Sequence, residues 1–435
     1  MTFLSALSIY FSRRMLVIFA LGFASGLPLA LTGGSLGAWL KDSGIDLTAI
    51  GLTAAVATPY TFKFLWAPLV DGLRVPLLSR LLGRRRGWML LTQVLLVAAL
   101  AVMAFADPRD ALHYTVIMAV VVATLSATQD IAIDAFRVES VSLEEQGAGA
   151  TAITFGYRIG MLASGAGALA LADLHGWQTT YIIMAGLMAV GIVVTLVARE
   201  DARDVDVSPH PSPLPEGEGI MVRLKRFFRD SVIAPFADFM TRPHWGAVLA
   251  FVVLYKLGDA FMGVMFNPFL LDIGFEKTQI ATIVKLYGLW ATIAGAFIGG
   301  IAVARLGMFR SLLIFGFVHM LTNLLLVVQA HLGANAPFLT ISIISENLTG
   351  GMSTTAFIAY LGALCKTHYT ATQYALLSSF AAFGRTWLST PSGALAKEVG
   401  WEWFFAIASL MAIPGLLLLV WLEMQQRRAD RLRQS

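Results

Sequence analysis

Charged side chains lie inside several long apolar stretches of this sequence, where a charge is costly. Six fall near the middle of a stretch and two lie closer to an end: Lys63, Arg158, Lys256, Asp259, Glu346 and Arg385, then Asp130 and Lys285. A charge at the centre of a membrane-spanning helix costs about 2.5 to 3.5 kcal/mol, so each group needs a partner, a wet cavity or a function. Basic groups are the majority. If they line one cavity, its positive charge favours a substrate that bears carboxylates.

The acidic members of this set can carry protons. Asp130 and Asp134 are four residues apart, which places them on one face of a helix. Burial disfavours the charged form of a carboxyl group, so Asp130, Asp134 and Glu346 are candidate proton carriers. Alternatively, Asp130 and Glu346 are permanent ion-pair partners that hold two parts of the fold together. Arg158 and Arg385 are then the basic partners.

Other residues of the apolar stretches have both a functional and a structural interpretation. Lys256 and Asp259 are three residues apart and either bind substrate or neutralise each other. Four aromatic residues fall mid-stretch and either stack on a sugar ring or pack in the core: Tyr60, Tyr157, Trp290 and Trp387.

The apolar stretches themselves predict an α-helical membrane protein. The chain has 435 residues, of which 57% are hydrophobic and 13% charged. Runs of about twenty apolar residues, at about 1.5 Å per residue, can cross a hydrocarbon layer of about 30 Å. Their continuity does not fit the alternating pattern of barrel strands. Twelve spans are predicted: 15–40, 48–70, 87–106, 113–135, 148–172, 178–198, 246–270, 278–303, 309–330, 337–364, 370–396 and 402–423.

The basic residues outside these spans predict the orientation. Most of the thirty-one Lys and Arg fall on the side of the two termini. The loops of the opposite side hold Lys41, Arg109, Lys277 and Lys397. Because cytoplasmic loops are enriched in Lys and Arg, both termini are expected in the cytoplasm. The net charge of +4 reflects this topology and does not suggest a nucleic-acid partner.

The sequence divides into two similar halves, 1–199 and 244–435, joined by a connection over 200–243. The connection begins with the proline-rich SPHPSPLPEGEG and continues with the basic, amphipathic IMVRLKRFFRD, which suits an anionic membrane surface. Paired residues recur at nearly constant offsets: Lys63 with Lys285, Asp130 with Glu346, Gln146 with Gln373, Arg158 with Arg385, and Gly176-Trp177 with Gly400-Trp401. Transporters built from such repeats bind substrate between the halves, near the midplane.

Several function classes lack their motifs. There is no GxxxxGK[ST] phosphate loop and no soluble domain large enough to hold an ATPase, so secondary active transport is expected. No HExxH metal motif and no GxSxG nucleophile motif occurs. The single cysteine, Cys365, is expected to pack. We therefore expect no enzyme activity, no metal and no cofactor.

The loop after the second span resembles a known signature. Asp71, Gly72 and Arg74, followed by Gly83, Arg84, Arg85 and Arg86, resemble the signature loop of the major facilitator superfamily. The resemblance implies the major facilitator fold, with twelve transmembrane helices in two six-helix pseudo-repeats. It also implies a gating role for Asp71, Arg84 and Arg85.

Within that superfamily the chain resembles the AmpG-type muropeptide permeases over almost its whole length. The matching segments are GFASGLPLALTGG, FKFLWAPLVD, GRRRGW, ATQDIAIDAF, VLYKLGDAF, ENLTGGMSTTAF and ATQYALLS. They place Gly26, Gln129 and Asn347 among the candidate substrate contacts and favour Asp130 for the proton. Some members carry further C-terminal spans, whereas this chain stops after twelve.

The resemblance implies a proton-coupled importer in the inner membrane of bacteria, active as a monomer among membrane lipids. Its cargo is N-acetylglucosaminyl-1,6-anhydro-N-acetylmuramyl peptides, taken up for peptidoglycan recycling and indirectly for β-lactamase induction. Two rival functions stay open. One is transport of another large anion such as acetyl-CoA, and the other is a membrane sensor that binds cell-wall fragments without moving them.

Overall fold

The computed structural model describes residues 9–45, 53–199, 229, 233–366 and 369–434. Over these residues the chain is helical and contains no strand. The α-helices are α1 (Arg13–Leu31), α2 (Gly34–Asp42), α3 (Thr58–Phe62), α4 (Ala67–Gly72), α5 (Leu78–Leu82), α6 (Arg84–Met103), α7 (Leu112–Ser140), α8 (Gln146–Leu162), α9 (Ala168–Val197), α10 (Ala234–Met240), α11 (Trp245–Leu254), α12 (Leu257–Asp272), α13 (Lys277–Ile280), α14 (Gly288–Leu306), α15 (Met308–Asn323), α16 (Leu325–Leu332), α17 (Ala336–Ala363), α18 (Thr370–Phe383), α19 (Ser392–Leu410) and α20 (Ala412–Gln434).

Eight stretches of the described residues are long and apolar enough to cross a membrane: Arg13–Asp42, Arg84–Met103, Leu112–Ser140, Leu143–Val197, Trp245–Asp272, Thr282–Leu306, Met308–Leu332 and Ser392–Arg428. Leu143–Val197 runs through two predicted spans, which a bend at Gly176 separates. The 28-residue α17 occupies the predicted tenth span. The arrangement is consistent with the twelve predicted spans.

The predicted second span is a broken helix in its described part. It runs through a 3₁₀ segment (Thr53–Ala57), α3, a second 3₁₀ segment (Lys63–Leu65) and α4. Both α3 and α4 carry a proline in their first turn, where a missing backbone N–H is tolerated but the preceding helix cannot continue. The break places Lys63 at a helix junction.

The predicted repeat is matched by local geometry. Gly176 adopts φ 76° and ψ 166°, and Gly400 adopts φ 77° and ψ 169°, a region that favours glycine. The indole of Trp177 donates to Asp42 at 2.9 Å, and the indole of Trp401 donates to Asp272 at 2.5 Å. Equivalent turns therefore open the predicted sixth and twelfth spans.

Glycines bring helices α1 and α8 into backbone contact. A Cβ at Gly22 or Gly26 would overlap the carbonyl groups of α8, and a Cβ at Gly156 or Gly160 would overlap those of α1. Small residues permit such close approach between membrane helices, which pack through van der Waals contact. The same device joins α14 to α17, where Gly295 lies against the carbonyl group of Leu348.

The bundle has two ends, which we name after residues found there. The Asp71 end holds Asp71 and Arg85, and the Trp177 end holds Trp177 and Asp42. The two halves meet toward the Asp71 end. There the Thr151 hydroxyl of α8 donates to the Ala296 carbonyl of α14 at 2.8 Å, and a Cβ at Gly147 would lie 2.9 Å from the Gly300 carbonyl oxygen.

Candidate functional site

The first half holds a cluster of charged groups at the junction of α1, α3 and α7. Asp130 of α7 accepts a hydrogen bond of 2.5 Å from the Ser25 hydroxyl of α1. One turn further along α7, Asp134 lies 3.6 Å from the Lys63 ammonium. The Lys63 charge is also close enough to act on Asp130. A single lysine therefore serves two carboxyl groups, and only one of them is in ion-pair contact.

The neighbouring residues of this cluster are mainly structural. Gln129 is fully buried and donates to the Ala24 carbonyl at 3.2 Å. Gly26 lies against the backbone of Tyr157 in the packing of α1 on α8. Tyr60 and Tyr157 lie close together, and Tyr60 is within electrostatic reach of Asp130. The structure thus gives Gln129 and Gly26 packing contacts, while their role in substrate binding stays a prediction.

The second half holds a denser cluster. The Lys256 ammonium lies 3.0 Å from Asp259 and donates to the Thr354 hydroxyl at 3.1 Å. The other oxygen of Asp259 lies 3.0 Å from Nε2 of His319. On the far side of that ring, Nδ1 lies 3.0 Å from the Thr349 hydroxyl. Lys256 and Asp259 therefore do pair, and a histidine joins them.

Glu346 connects the clusters of the two halves. Its carboxylate accepts from the Asn347 amide at 2.7 Å, and Thr292 holds that amide by a hydrogen bond of 2.9 Å to its oxygen. Glu346 is also within electrostatic reach of His319 in its own half and of Arg158 in the other half. Arg158 is an exposed side chain of the first half, so its charge acts on Glu346 from across the interface between the halves.

The remaining predicted site residues are distributed as follows. Trp290 is 59% exposed and Trp387 is 57% exposed, and neither has an aromatic or hydrogen-bond partner among the charged clusters. The side chains of Lys285 and Arg385 lie outside the described part of the structure. The convergence of Lys63, Arg158 and Arg385 in one chamber therefore stays a prediction.

The predicted gating residues form a buried network at the Asp71 end. Arg85, fully buried at the start of α6, lies 2.8 Å from Asp71 and 2.6 Å from Glu139. Asp71 also accepts from the second half. The Thr372 amide donates to it at 2.7 Å, the Thr372 hydroxyl at 2.6 Å and the Ala371 amide at 3.3 Å. The carboxylate thus caps the first turn of α18, where anions are stabilised.

Further contacts fix the surroundings of this network. Arg84 donates to the Asp71 carbonyl at 2.8 Å. In α10, inside the predicted connection, Asp238 lies 2.6 Å from Lys366 and accepts from Gln373 at 3.0 Å. Although partial burial opposes it, these hydrogen bonds hold the pKa of Asp238 below its usual range. The basic segment 220–230 lies, apart from Arg229, outside the described residues.

The partners in these networks that were not predicted from the sequence include Glu139, Thr372 and His319. Glu139 and Thr372 are ordinary polar residues near span ends, and only their contacts reveal their role. His319 had a visible signal, because it is an ionisable residue in the middle of the predicted ninth span. Metal-ligand spacing alone does not reveal His319, because no second ligand stands at the required spacing in the sequence. Among the described residues, no group of three or more His, Cys, Asp or Glu is placed to hold a metal.

Comparison with known proteins identifies the family. The Major Facilitator Superfamily matches residues 15–389 of the chain. The anhydromuropeptide permease of Escherichia coli (strain K12) is 42% identical over 420 residues, which cover 95% of this chain and 80% of that protein. The chain belongs to the major facilitator superfamily, in the family of the anhydromuropeptide permeases. It is therefore a multi-pass membrane transport protein, and the predictions of fold class, family and a non-enzymatic function are confirmed.

Other relatives of this major facilitator protein agree. Putative transporter AmpG 4 of Rickettsia felis is 37% identical and covers 95% of this chain and 98% of its own length. Two solved structures share the fold at low identity. The proton:xylose symporter XylE has a TM-score of 0.68 at 13% identity and covers 95% of each chain. The human organic anion transporter MFSD10 has a TM-score of 0.61 at 15% identity, over 93% of this chain and 97% of that one.

Proposed function

We propose that this protein imports anhydromuropeptides across the bacterial inner membrane by proton symport. The observation that carries the proposal is the 42% identity to the Escherichia coli anhydromuropeptide permease over 95% of the chain. The charged clusters support it. A muropeptide joins a sugar part to a peptide with carboxylates, and Lys63, Lys256 and Arg158 offer cationic partners for such groups.

The proposed transport cycle is alternating access between two halves, 1–199 and 244–435, with the connection 200–243 on the cytoplasmic side. Both termini and the Asp71 end face the cytoplasm in this scheme. In this scheme the hydrogen bonds of Asp71 to Thr372 close the exit, and the proposed substrate site between the halves opens to the periplasm. Opening toward the cytoplasm has to break these bonds, so Asp71, Arg84 and Arg85 act as the gate.

Asp130 is the proposed proton carrier of the first half. Lys63 forms an ion pair with Asp134 and acts on Asp130 only through its charge, so the interaction of Lys63 with Asp130 is the weaker of the two. A group with a hydroxyl contact and no close cation can accept a proton without leaving a buried cation unpaired. Asp134 stays the partner of Lys63. Glu346, held by Asn347, has the equivalent position in the second half.

Substrate identity is tested by counterflow. Purified protein in liposomes preloaded with unlabelled anhydromuropeptide should take up the labelled compound, and preloading with acetyl-CoA should drive no uptake of labelled acetyl-CoA. The reverse pattern would reassign the cargo. Binding of muropeptide without any counterflow would identify a sensor rather than a transporter.

The proton role is tested with Asp130→Asn. This variant should lose about tenfold in the accumulation driven by one pH unit and keep counterflow, because exchange of substrate needs no net proton movement. Asp42→Asn, at the Trp177 end and away from the charged clusters, is the matched control. Undiminished accumulation by Asp130→Asn would remove this residue from the proton role.

A further inference from the structure

His319 is a buried histidine of α15, near the middle of the apolar stretch Met308–Leu332, and its ring is held from both sides. It is 5% exposed. Nε2 lies 3.0 Å from Asp259 of α12, and Nδ1 lies 3.0 Å from the Thr349 hydroxyl of α17. An ionisable group inside a membrane bundle is costly and by default marks a function. The family assignment and the sequence motifs do not include it.

The two nitrogens of the ring face different kinds of partner. A carboxylate can only accept, so Nε2 carries a hydrogen toward Asp259 whether the ring is neutral or charged. A hydroxyl can donate or accept, so Thr349 suits both states of Nδ1. When Nδ1 is bare, the Thr349 hydroxyl donates to it. When Nδ1 is protonated, that hydroxyl turns to the Ser345 carbonyl, 2.9 Å away, and accepts from the ring.

We propose that His319 binds the second coupled proton of the transport cycle, at Nδ1, with Thr349 as the hydroxyl that adapts to it. The proposal rests on proton symport as the proposed function and assigns the site in the second half. When Nδ1 gains or loses a proton, the Thr349 hydroxyl has only to rotate between donor and acceptor, so no buried polar atom of the ring is left unpaired in either state. A site for a mobile proton needs such an adaptable partner, because both states of the ring have to be stable.

The charges that face His319 link its proton to an anionic substrate. Lys256 and Asp259 come from the α12 side and Glu346 from α17, while α20 presents the apolar Ala412 and Leu416. With a neutral ring the charges of Lys256, Asp259 and Glu346 sum to minus one. Protonation of His319 brings that sum to zero, so the negative charge that repels an anionic substrate near Glu346 and Arg158 is neutralised. Proton binding should therefore strengthen binding of an anionic cargo.

The packing keeps the ring in this position. A Cβ at Gly350 would lie 3.1 Å from Cε1 of the ring, so the imidazole packs closely against the backbone of α17 on that side. A cavity of about 10 Å³ borders the ring and is lined by Asp259 and Asn323, and it has room for about one water molecule. The side-chain oxygen of Asn323 is buried there without a hydrogen-bond partner. The Asn323 oxygen is therefore a hydrogen-bond acceptor for a water molecule in this cavity, next to the ring.

The test compares His319→Gln with His331→Gln. Glutamine can still hydrogen-bond to Asp259 but binds no proton at any working pH. His331 also lies near a carboxylate, Glu402 at 3.3 Å, but is exposed, so its replacement controls for loss of a histidine–carboxylate pair. Each protein is assayed in liposomes for counterflow of labelled anhydromuropeptide and for accumulation driven by one pH unit.

His331→Gln should behave as the native protein. Each coupled proton can support about a tenfold accumulation per pH unit, because one pKa unit equals 1.36 kcal/mol. His319→Gln should lose about tenfold in accumulation and keep counterflow, and the strengthening of muropeptide binding on acidification should be absent. Thr349→Val should impair accumulation similarly, and Thr349→Ser, which keeps the hydroxyl, should restore it.

Two outcomes overturn the proposal: native accumulation by His319→Gln, or an equal loss of counterflow and accumulation, which is the mark of a structural role. A readout without substrate separates this proposal from the proposed function. In protein labelled with ¹⁵N-histidine, the signal that His319→Gln removes should change from one N–H to two N–H groups on acidification over about pH 5 to 9. A signal that keeps one state throughout contradicts the proposal even if muropeptide transport is confirmed.

Discussion

Replacement of Asp71 by asparagine tests whether the Asp71 network holds the two halves together. The carboxylate receives four hydrogen bonds, one from Arg85 and three from the first turn of α18. An asparagine keeps one acceptor oxygen and turns an N–H₂ group toward the two donors at the other position, so the two bonds made there to a carboxylate oxygen are lost. Arg85 keeps Glu139 at 2.6 Å and is not left as an unpaired buried cation.

The expected shift follows from this count. A hydrogen bond to a charged group contributes about 1.5 to 3 kcal/mol, so the loss of two is about 3 kcal/mol at the lower limit. Because every 1.4 kcal/mol is tenfold, the equilibrium between open and closed halves should shift by roughly a hundredfold toward opening. Thr372→Val, which removes only the hydroxyl bond of 2.6 Å, should give a shift of about tenfold.

Cys365 provides the assay. It is the single cysteine of the chain and lies at the Asp71 end, within electrostatic reach of Asp71 and of Arg137 in the first half. Burial raises the pKa of the Cys365 thiol, so maleimide labelling of the closed form is slow. Asp71→Asn should accelerate labelling by roughly a hundredfold.

Asp238→Asn is the control for that measurement. This substitution breaks the contacts of α10 with Lys366 and Gln373, which belong to the second half. It leaves the hydrogen bonds of Asp71 between the two halves intact. Its labelling rate should stay near that of the native protein. A rate within twofold of native for Asp71→Asn, with an unchanged melting temperature, would refute the role of Asp71 as the gate.

Three further predictions concern packing, substrate and pH. Gly156→Leu would force α1 and α8 apart and should lower the free energy of unfolding by about 1 to 3 kcal/mol, measured by thermal unfolding in detergent. Arg158→Ala should weaken binding of peptide-bearing muropeptides about tenfold or more, and of the bare disaccharide little; equal losses would indicate a structural pair. Since the pKa of Asp238 is lower in the folded protein, its stabilising effect is present above a pH of about 4 and is lost as the pH falls through that lower pKa. The melting temperature should therefore fall more steeply on acidification in the native protein than in Asp238→Asn.

The architecture could be predicted well because the membrane leaves few choices. Long apolar runs have to be helices, and α17 begins and ends within one residue of the predicted span 337–364. The Gly-Trp pair at 176 and the pair at 400 predicted a repeat, and both glycines share one backbone conformation. The helix breaks inside the second predicted span, at α3 and α4, could not be predicted, because a proline in a first turn looks like part of a continuous apolar run.

The networks could be predicted only in part. Lys63, Asp130 and Lys256 could be predicted as site residues from their charge alone. A charge inside the membrane is costly, so it needs a partner, a water-filled cavity or a function. Their partners depend on which helices face each other, which no spacing along one helix reveals. His319 binds Asp259 across sixty residues, and Thr372 binds Asp71 across three hundred and one.

Proton-driven uptake of anhydromuropeptide by the purified protein tests the central claim most directly. Liposomes with an inside at higher pH than the outside should accumulate the labelled compound above its external concentration, and a protonophore should abolish the accumulation. Uptake that only equilibrates, at any pH difference and with or without the protonophore, would contradict proton symport. A complete lack of uptake by folded protein would contradict the assignment of the cargo.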